Sequence, residues 1–259
     1  MKKIIFNVIP TVLFVALSSL IVSASYAVQD VVIYGDDSYP PYSFLDKDSK
    51  SPKGIYVDIL NKAFLKMPDY NVKISMIPWK RGINYVKTGK GVAIFPPYYS
   101  EERVPWMNYS EPLLAEKVIV FSTEKILKGK QKWPDDFFGL RGGINLGFSV
   151  ISMGGKSFAD AIKAGKITLD EAKSNDVCLK KLSMGRIHFY LNDQLIDISM
   201  YPNIVRSNIV TNKNHGYLGF TRKLEQYPYI PELKQKFDEI IKKMKSDGDI
   251  EQIIQPHKK

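Results

Sequence analysis

Apolar positions along this chain switch repeatedly between two periods. Short apolar or alternating runs at 31–34, 72–77, 92–95, 118–122, 144–146, 187–191 and 204–210 predict strands, with a further short apolar piece at 217–220. Helical spacing over 56–67, with Ile55, Ile59, Leu60, Ala63, Phe64 and Met67 on one face, predicts a helix that Pro68 stops. The same periodicity predicts a short helix at 82–87, helices at 158–164 and 176–182, a strongly amphipathic helix at 233–244 and a last turn at 250–254. A helical turn is expected after Ser100, while 47–53 reads as a polar loop and 125–142 as irregular. Strands alternating with helices predict an α/β fold with largely parallel sheets. No repeat of solenoid length interrupts the pattern.

Two of these strands exit into residues that carry chemistry. Val92-Ala93-Ile94-Phe95 leads through Pro96-Pro97-Tyr98-Tyr99 into Ser100-Glu101-Glu102-Arg103, and 187–191 ends in Asn192-Asp193. α/β sheets bind ligands beyond the carboxyl ends of their strands. An arginine beyond one strand and an aspartate beyond another suit the carboxylate and ammonium of a small zwitterion. Tyr39-Pro40-Pro41-Tyr42 echoes Phe95-Pro96-Pro97-Tyr98, and Pro-Pro is expected to hold both segments extended with their aromatics presented.

The N-terminus changes the compartment. Lys2 and Lys3, an apolar stretch over 12–22 and Ser25-Tyr26-Ala27 predict a secretory signal at 1–27, cleaved after Ala27. No later run reaches about 18 apolar residues, the length of a membrane span. Beyond residue 27 the chain carries 35 Lys+Arg against 27 Asp+Glu, a net +8, and the lysines are scattered. The densest basic run, Lys242-Lys243 with Lys245, lies at helical spacing and reads as a solvated face, so nucleic acid is not an expected partner. The single cysteine, Cys178, excludes an internal disulfide and reads as a small core residue. No cysteine stands near the cleavage site for a lipid anchor. His188, His215 and His257 lack metal-ligand spacing, so neither metal nor cofactor is expected.

Six segments in order resemble the family 3 solute-binding proteins, periplasmic receptors of polar amino acid uptake. They are Tyr39-Pro40-Pro41-Tyr42-Ser43-Phe44, Gly54 to Leu60, Ser100-Glu101-Glu102-Arg103, Tyr109-Ser110-Glu111-Pro112, Gly185 to Asp193, and Lys243 to Ile250. The resemblance implies a type II periplasmic-binding-protein fold, with two lobes joined by two hinge strands around a ligand cleft. Lobe one would comprise 28–117 and 217–259, and lobe two 118–216. It further implies a periplasmic monomer that closes over an amino-acid-like ligand and delivers it to an inner-membrane ABC permease.

Residue by residue, Arg103 matches the carboxylate-binding arginine, whose planar fork suits a carboxylate. It could equally pair on the surface with Glu101, Glu102 or Glu111. Ser100 can cap the turn that follows it, whose free N–H groups favour an anion. Asp193 matches the ammonium-binding aspartate, although a turn aspartate after a strand is common. Tyr39 matches a ring that covers the ligand, and Trp79 lies near a second such position or anchors the core beside Pro78. Asp36 matches a position that meets basic side chains in some relatives, or forms an Asx turn. Phe148 and Ser149 fall where hydroxyl residues are common, and only Ser149 could donate. Phe95, Pro96 and Tyr98 replace small hydroxyl residues, so the carboxylate end of the site is better preserved than the ammonium end. A non-catalytic receptor is therefore expected. The alternatives are a dehydratase acting on a cyclic prearomatic acid on the same fold, and a stand-alone sensor. The sequence offers no clear acid–base pair.

Overall fold

The computed structural model describes residues 28–257; the expected signal segment lies outside them. In chain order the strands are β1 (Gln29–Asp36), β2 (Ser38–Tyr39), β3 (Ser43–Leu45), β4 (Pro52–Lys53), β5 (Tyr70–Ile77), β6 (Ala93–Phe95), β7 (Met107–Tyr109), β8 (Leu114–Ser122), β9 (Arg141–Asn145), β10 (Thr168–Ala172), β11 (Phe189–Asp193), β12 (Val205–Gly216) and β13 (Gly219–Thr221). The α-helices are α1 (Ile55–Phe64), α2 (Trp79–Thr88), α3 (Glu124–Leu127), α4 (Val150–Lys163), α5 (Asn175–Ser183), α6 (Ile230–Ser246) and α7 (Asp249–Ile254).

Two five-stranded sheets organise the chain into two lobes. The first runs β5-β1-β6-β13-β7 and the second β10-β9-β11-β8-β12; β2, β3 and β4 form a small third sheet. The sheets are mixed rather than largely parallel. β1 pairs parallel with β5 and β6, and β9 with β10 and β11, but β13 runs antiparallel to β6 and β7, and β8 to β11 and β12. The antiparallel members are the strands that leave one sheet or return to it, whose direction is set by the connection rather than by a crossover helix. β8 and β12 pair from Ser122 with Val205 to Leu114 with Gly216, so the ends of this ribbon meet the first lobe, where Leu113 N–H donates to Gly216 C=O at 2.8 Å.

Periodicity explains the strong elements. α6 buries Ile230, Leu233, Phe237, Ile241 and Met244, one stripe at helical spacing, with a proline in its first turn. Phe237 stacks on Phe64 of α1 at a centroid distance of 5.3 Å, tying the C-terminal helix to the first lobe. β10, absent from the sequence expectation, is an edge strand whose Asp170 and Glu171 need no apolar alternation. α4 begins eight residues earlier than its apolar spacing predicts. Ser149 caps it, and Gly155, at φ 81°, kinks it and masks the period. After Ser100 the chain makes successive turns, with Arg103 N–H donating to Ser100 C=O and Met107 N–H to Arg103 C=O, in keeping with the expected helical turn.

The Tyr39–Tyr42 segment is not extended. Tyr42 N–H donates to Tyr39 C=O at 2.9 Å across a cis Pro40–Pro41 peptide, which closes a tight turn. The turn then starts α1: Ile55 N–H donates to Pro41 C=O and Tyr56 N–H to Tyr42 C=O, satisfying donors that a helix leaves open. Gly54 is required there, because its φ is 117° and a Cβ would stand 2.5 Å from the Tyr42 carbonyl oxygen.

Removing the Phe64–Phe237 contact should loosen the first lobe. Phe237→Ala should lower stability by about 3–5 kcal/mol, measured by urea unfolding.

Candidate functional site

The carboxyl ends of three parallel strands in the first lobe supply one wall of a pocket. Asp36 ends β1, with Tyr39 just beyond it; Trp79 opens α2 after β5; Pro96 and Tyr98 follow β6. Arg103 comes from the turns after Tyr98. The second lobe supplies Phe148 and Ser149, from the turn between β9 and α4, with Ser152 and Met153 of α4. The two walls face each other across a narrow, partly open pocket.

The two walls touch through few polar contacts. Gly147 C=O accepts from Trp79 Nε1–H at 3.2 Å and from Arg103 Nη2–H at 3.3 Å. Ser152 Oγ–H donates to Tyr99 C=O at 3.2 Å. Phe148 meets Tyr39 and Trp79 edge-on, at centroid distances of 5.8 and 6.1 Å. Ser149 Oγ accepts from Ser152 N–H at 3.2 Å and keeps its own proton to donate.

Arg103 is 8 % exposed, and its guanidinium lies 5.8 Å from the Trp79 ring centroid. Beyond Gly147, it donates from Nη1 to Tyr98 C=O at 3.4 Å. No ion pair holds it among the described residues. Burial lowers its pKa, opposed by Tyr109 and Glu102, and an arginine remains charged through such a shift. The result is a cation in an aromatic enclosure with long carbonyl contacts and the Tyr109 hydroxyl beside it, but no carboxylate paired with it among the described residues, an arrangement complementary to a carboxylate.

Asp36 is the acid of the pocket. Its Oδ1 accepts from Ser38 N–H at 3.0 Å, an Asx turn that coexists with a place in the wall. Burial raises its pKa to about 7, against the lowering effect of that hydrogen bond.

Tyr39, Trp79, Tyr98, Arg103, Phe148 and Ser149 are thus brought together. Ser100 and Asp193 are not. Ser100 N–H donates to the Tyr109 hydroxyl at 3.1 Å, behind Arg103. Asp193, 1 % exposed, accepts from the Tyr42 hydroxyl, from Lys117 N–H at 2.9 Å and from Leu195 N–H at 2.8 Å. It closes an Asx turn and stands outside the pocket wall.

Glu116 and Ser152 escaped the sequence reading. Glu116, 3 % exposed, accepts from the hydroxyls of Tyr39 at 2.7 Å, Tyr98 at 2.6 Å and Tyr56. Burial and then Asp193 raise its pKa to about 8, opposed by the three hydroxyls. Extending the alternation of Val118 and Val120 back by one step points Glu116 inward, which was the available signal. Ser152 stands three positions after Ser149, but the broken period of α4 hid the helix. Cys178 is buried, and among the described residues no group of three or more His, Cys, Asp or Glu side chains is placed for a metal ion. No helix among them is long and apolar enough to cross a membrane.

The family model for bacterial extracellular solute-binding proteins, family 3, matches residues 31–258. No curated protein sequence matches the chain. Among solved structures, a histidine kinase sensor domain with similarity to periplasmic binding proteins superposes with a TM-score of 0.75 at 16 % identity, over 90 % of this chain and 97 % of its own. The ancestral amino acid-binding protein AncCDT-1, a precursor of cyclohexadienyl dehydratase, gives 0.70 at 19 % identity, over 89 % and 95 %. The arginine-, lysine-, histidine-binding protein ArtJ from Geobacillus stearothermophilus gives 0.70 at 18 % identity, over 89 % and 95 %. At these identities the likeness concerns the fold.

Three buried acids set the pH dependence of stability. Asp36, Glu116 and Asp193 have folded pKa values raised to about 7, 8 and 6, chiefly by burial. The stability they contribute is fully present below their unfolded values near 4, and is lost as pH rises through 6 to 8. The thermal midpoint should therefore fall between pH 5 and pH 9. Asp36→Asn should flatten the part of that curve between about pH 4 and pH 7, as followed by circular dichroism.

Proposed function

The chain belongs to the bacterial extracellular solute-binding proteins, family 3, and we propose that it is a non-catalytic periplasmic receptor for a small carboxylate-bearing, amino-acid-like solute. Arg103 carries this reading: it is a buried guanidinium without an ion pair among the described residues, in the wall of a ring-lined pocket between two lobes. In water, an exposed arginine gains little from meeting a carboxylate; within an enclosed apolar wall the same pair is far stronger. The ligand's carboxylate would take the guanidinium fork and the Ser149 hydroxyl. Its remaining surface would lie among Tyr39, Trp79, Tyr98 and Phe148.

Because the walls come from two lobes linked by β8 and β12, the lobes would close over the solute by bending at that ribbon. Lobe one would run through 28–117 and 217–259, and lobe two through 118–216. The receptor would work as a monomer after cleavage at Ala27 and hand its solute to an inner-membrane ABC permease. Asp193, enclosed by Tyr42, Lys117 and Leu195, would reach a ligand ammonium only if Tyr42 gave way. Asp36 is the acid already placed at the pocket.

A second reading rests on Asp36. A carboxyl group with a pKa near 7 in a ligand pocket has the proton affinity of a general acid–base. Paired with Arg103 as the carboxylate anchor, it is compatible with the dehydratase alternative, while the likeness to a histidine kinase sensor domain fits the sensor alternative. Incubation with cyclic prearomatic acids would then yield aromatic ultraviolet absorbance, abolished in Asp36→Asn. No turnover leaves the receptor reading in place.

The primary test is a thermal-shift screen of residues 28–259 against amino acids, their keto and hydroxy analogues, polyamines and aromatic acids. A ligand at 100 times its Kd adds about 2.7 kcal/mol, or roughly 5–10 °C at this size. Arg103→Ala should weaken binding of the hit by about 2–5 kcal/mol, measured by calorimetry. Unchanged affinity would remove Arg103 from the site.

A further inference from the structure

Behind the pocket, one acid gathers three tyrosines. Tyr39 and Tyr98 line the pocket with their rings, yet both hydroxyls turn away from it to donate to Glu116 Oε2, at 2.7 and 2.6 Å. Their oxygens are 3.1 Å apart, so they share that acceptor side by side. Tyr56, from α1, donates to the other oxygen, Oε1. Its approach depends on Gly216 of β12, where a Cβ would stand 1.8 Å from the Tyr56 hydroxyl oxygen. No side chain larger than glycine leaves that path open.

Glu116 itself stands on β8, opposite Asn214 of β12, in the ribbon that joins the lobes. We propose that Glu116 is a positioning residue of the ligand site, fixing the Tyr39 and Tyr98 rings from behind and tying them to this ribbon. The inference rests on reading this pocket as the solute site. The carboxylate fits the task better than an amide. Two oxygens offer about four lone-pair positions for three hydroxyl donors, whereas a glutamine offers one acceptor oxygen and adds two unwanted N–H donors. A displacement of β8 at Glu116 would therefore be felt at two rings of the first-lobe wall at once. The titratable groups that face Glu116 are Tyr39, Tyr42, Tyr56 and Tyr98 from the first lobe and Asp193 from β11. The tyrosines are held well above their ordinary pKa by burial, so they remain donors while the acid titrates.

The experiment uses no ligand, so its outcome is independent of the receptor reading. Ring resonances of Tyr39 and Tyr98 would be followed by NMR from pH 5.5 to 9.5 in protein carrying ¹³C-tyrosine, assigned with Tyr39→Phe and Tyr98→Phe. Both rings should shift together with a midpoint near pH 8, and the step should vanish in Glu116→Gln. Tyr56→Phe touches neither ring's place in the pocket, yet it removes a donor that lowers the acid's pKa, so the midpoint should move upward. Flat resonances in the unaltered protein, or the same step in Glu116→Gln, would overturn the proposal. If Glu116→Gln fails to fold, Tyr56→Phe decides: an unmoved midpoint overturns it and a raised one sustains it.

Discussion

A carboxyl group removed from water must find hydrogen-bond partners nearby, and the centre of this molecule is arranged around that constraint at Glu116. Its three tyrosine donors come from β2, α1 and the chain after β6. Each arrives through a different piece of local structure. Tyr39 opens the tight turn, which in turn supplies the carbonyl groups that begin α1; α1 carries Tyr56; and Gly216 clears the way for its hydroxyl. Tyr42, stacked on Tyr39 at 4.9 Å, continues the cluster to Asp193 in the second lobe. Two buried acids and four tyrosines therefore join strands and turns that lie far apart in the chain. Unlike apolar packing, these contacts are directional, and they fix how the rings face.

The front of the same rings meets a different electrostatic problem. Arg103 is desolvated and has no ion pair among the described residues; it donates to the carbonyl groups of Tyr98 in its own lobe and Gly147 in the other, and Tyr109 stands beside it. The acid is thus enclosed and hydrogen-bonded behind the tyrosines, whereas positive charge is left under-partnered in front of them. The asymmetry gives the pocket its chemical character. It also explains why aromatic residues dominate the wall: a ring presents an apolar face to the pocket and, in tyrosine, still carries a hydroxyl to the acid behind.

Much of the frame was legible along the chain. The stripe of α6 and the apolar runs of β1, β5, β6 and β11 read correctly because burial imposes a period on residues that share a face. Elements under weaker burial pressure were misread. β10 and most of β12 lie at sheet edges, and α4 is broken at Gly155, so neither presents a clean period. Direction is not legible along the chain either, since a strand carries no mark of whether its neighbour runs parallel or antiparallel. The Pro-Pro segments looked stiff and extended, but the turn at Tyr39–Tyr42 is closed by a hydrogen bond that composition does not reveal.

The sequence by itself determined the α/β class, the order of the main elements, and the aromatic and arginine residues beyond the strand ends. These follow from local periodicity and from the rule that parallel strands gather their carboxyl ends at one edge. The tertiary structure alone decided which charged residues face a ligand pocket and which are consumed inside the fold. Asp193 and Asp36 each end a strand, and nothing local separates them. One meets Tyr42, a residue 151 positions away, and the other meets the pocket. Glu116 likewise looks like any polar residue near a strand start until three distant tyrosines converge on it. Whether a charge is free or satisfied depends on partners brought together only by folding, and that dependence is not written in any short stretch of chain.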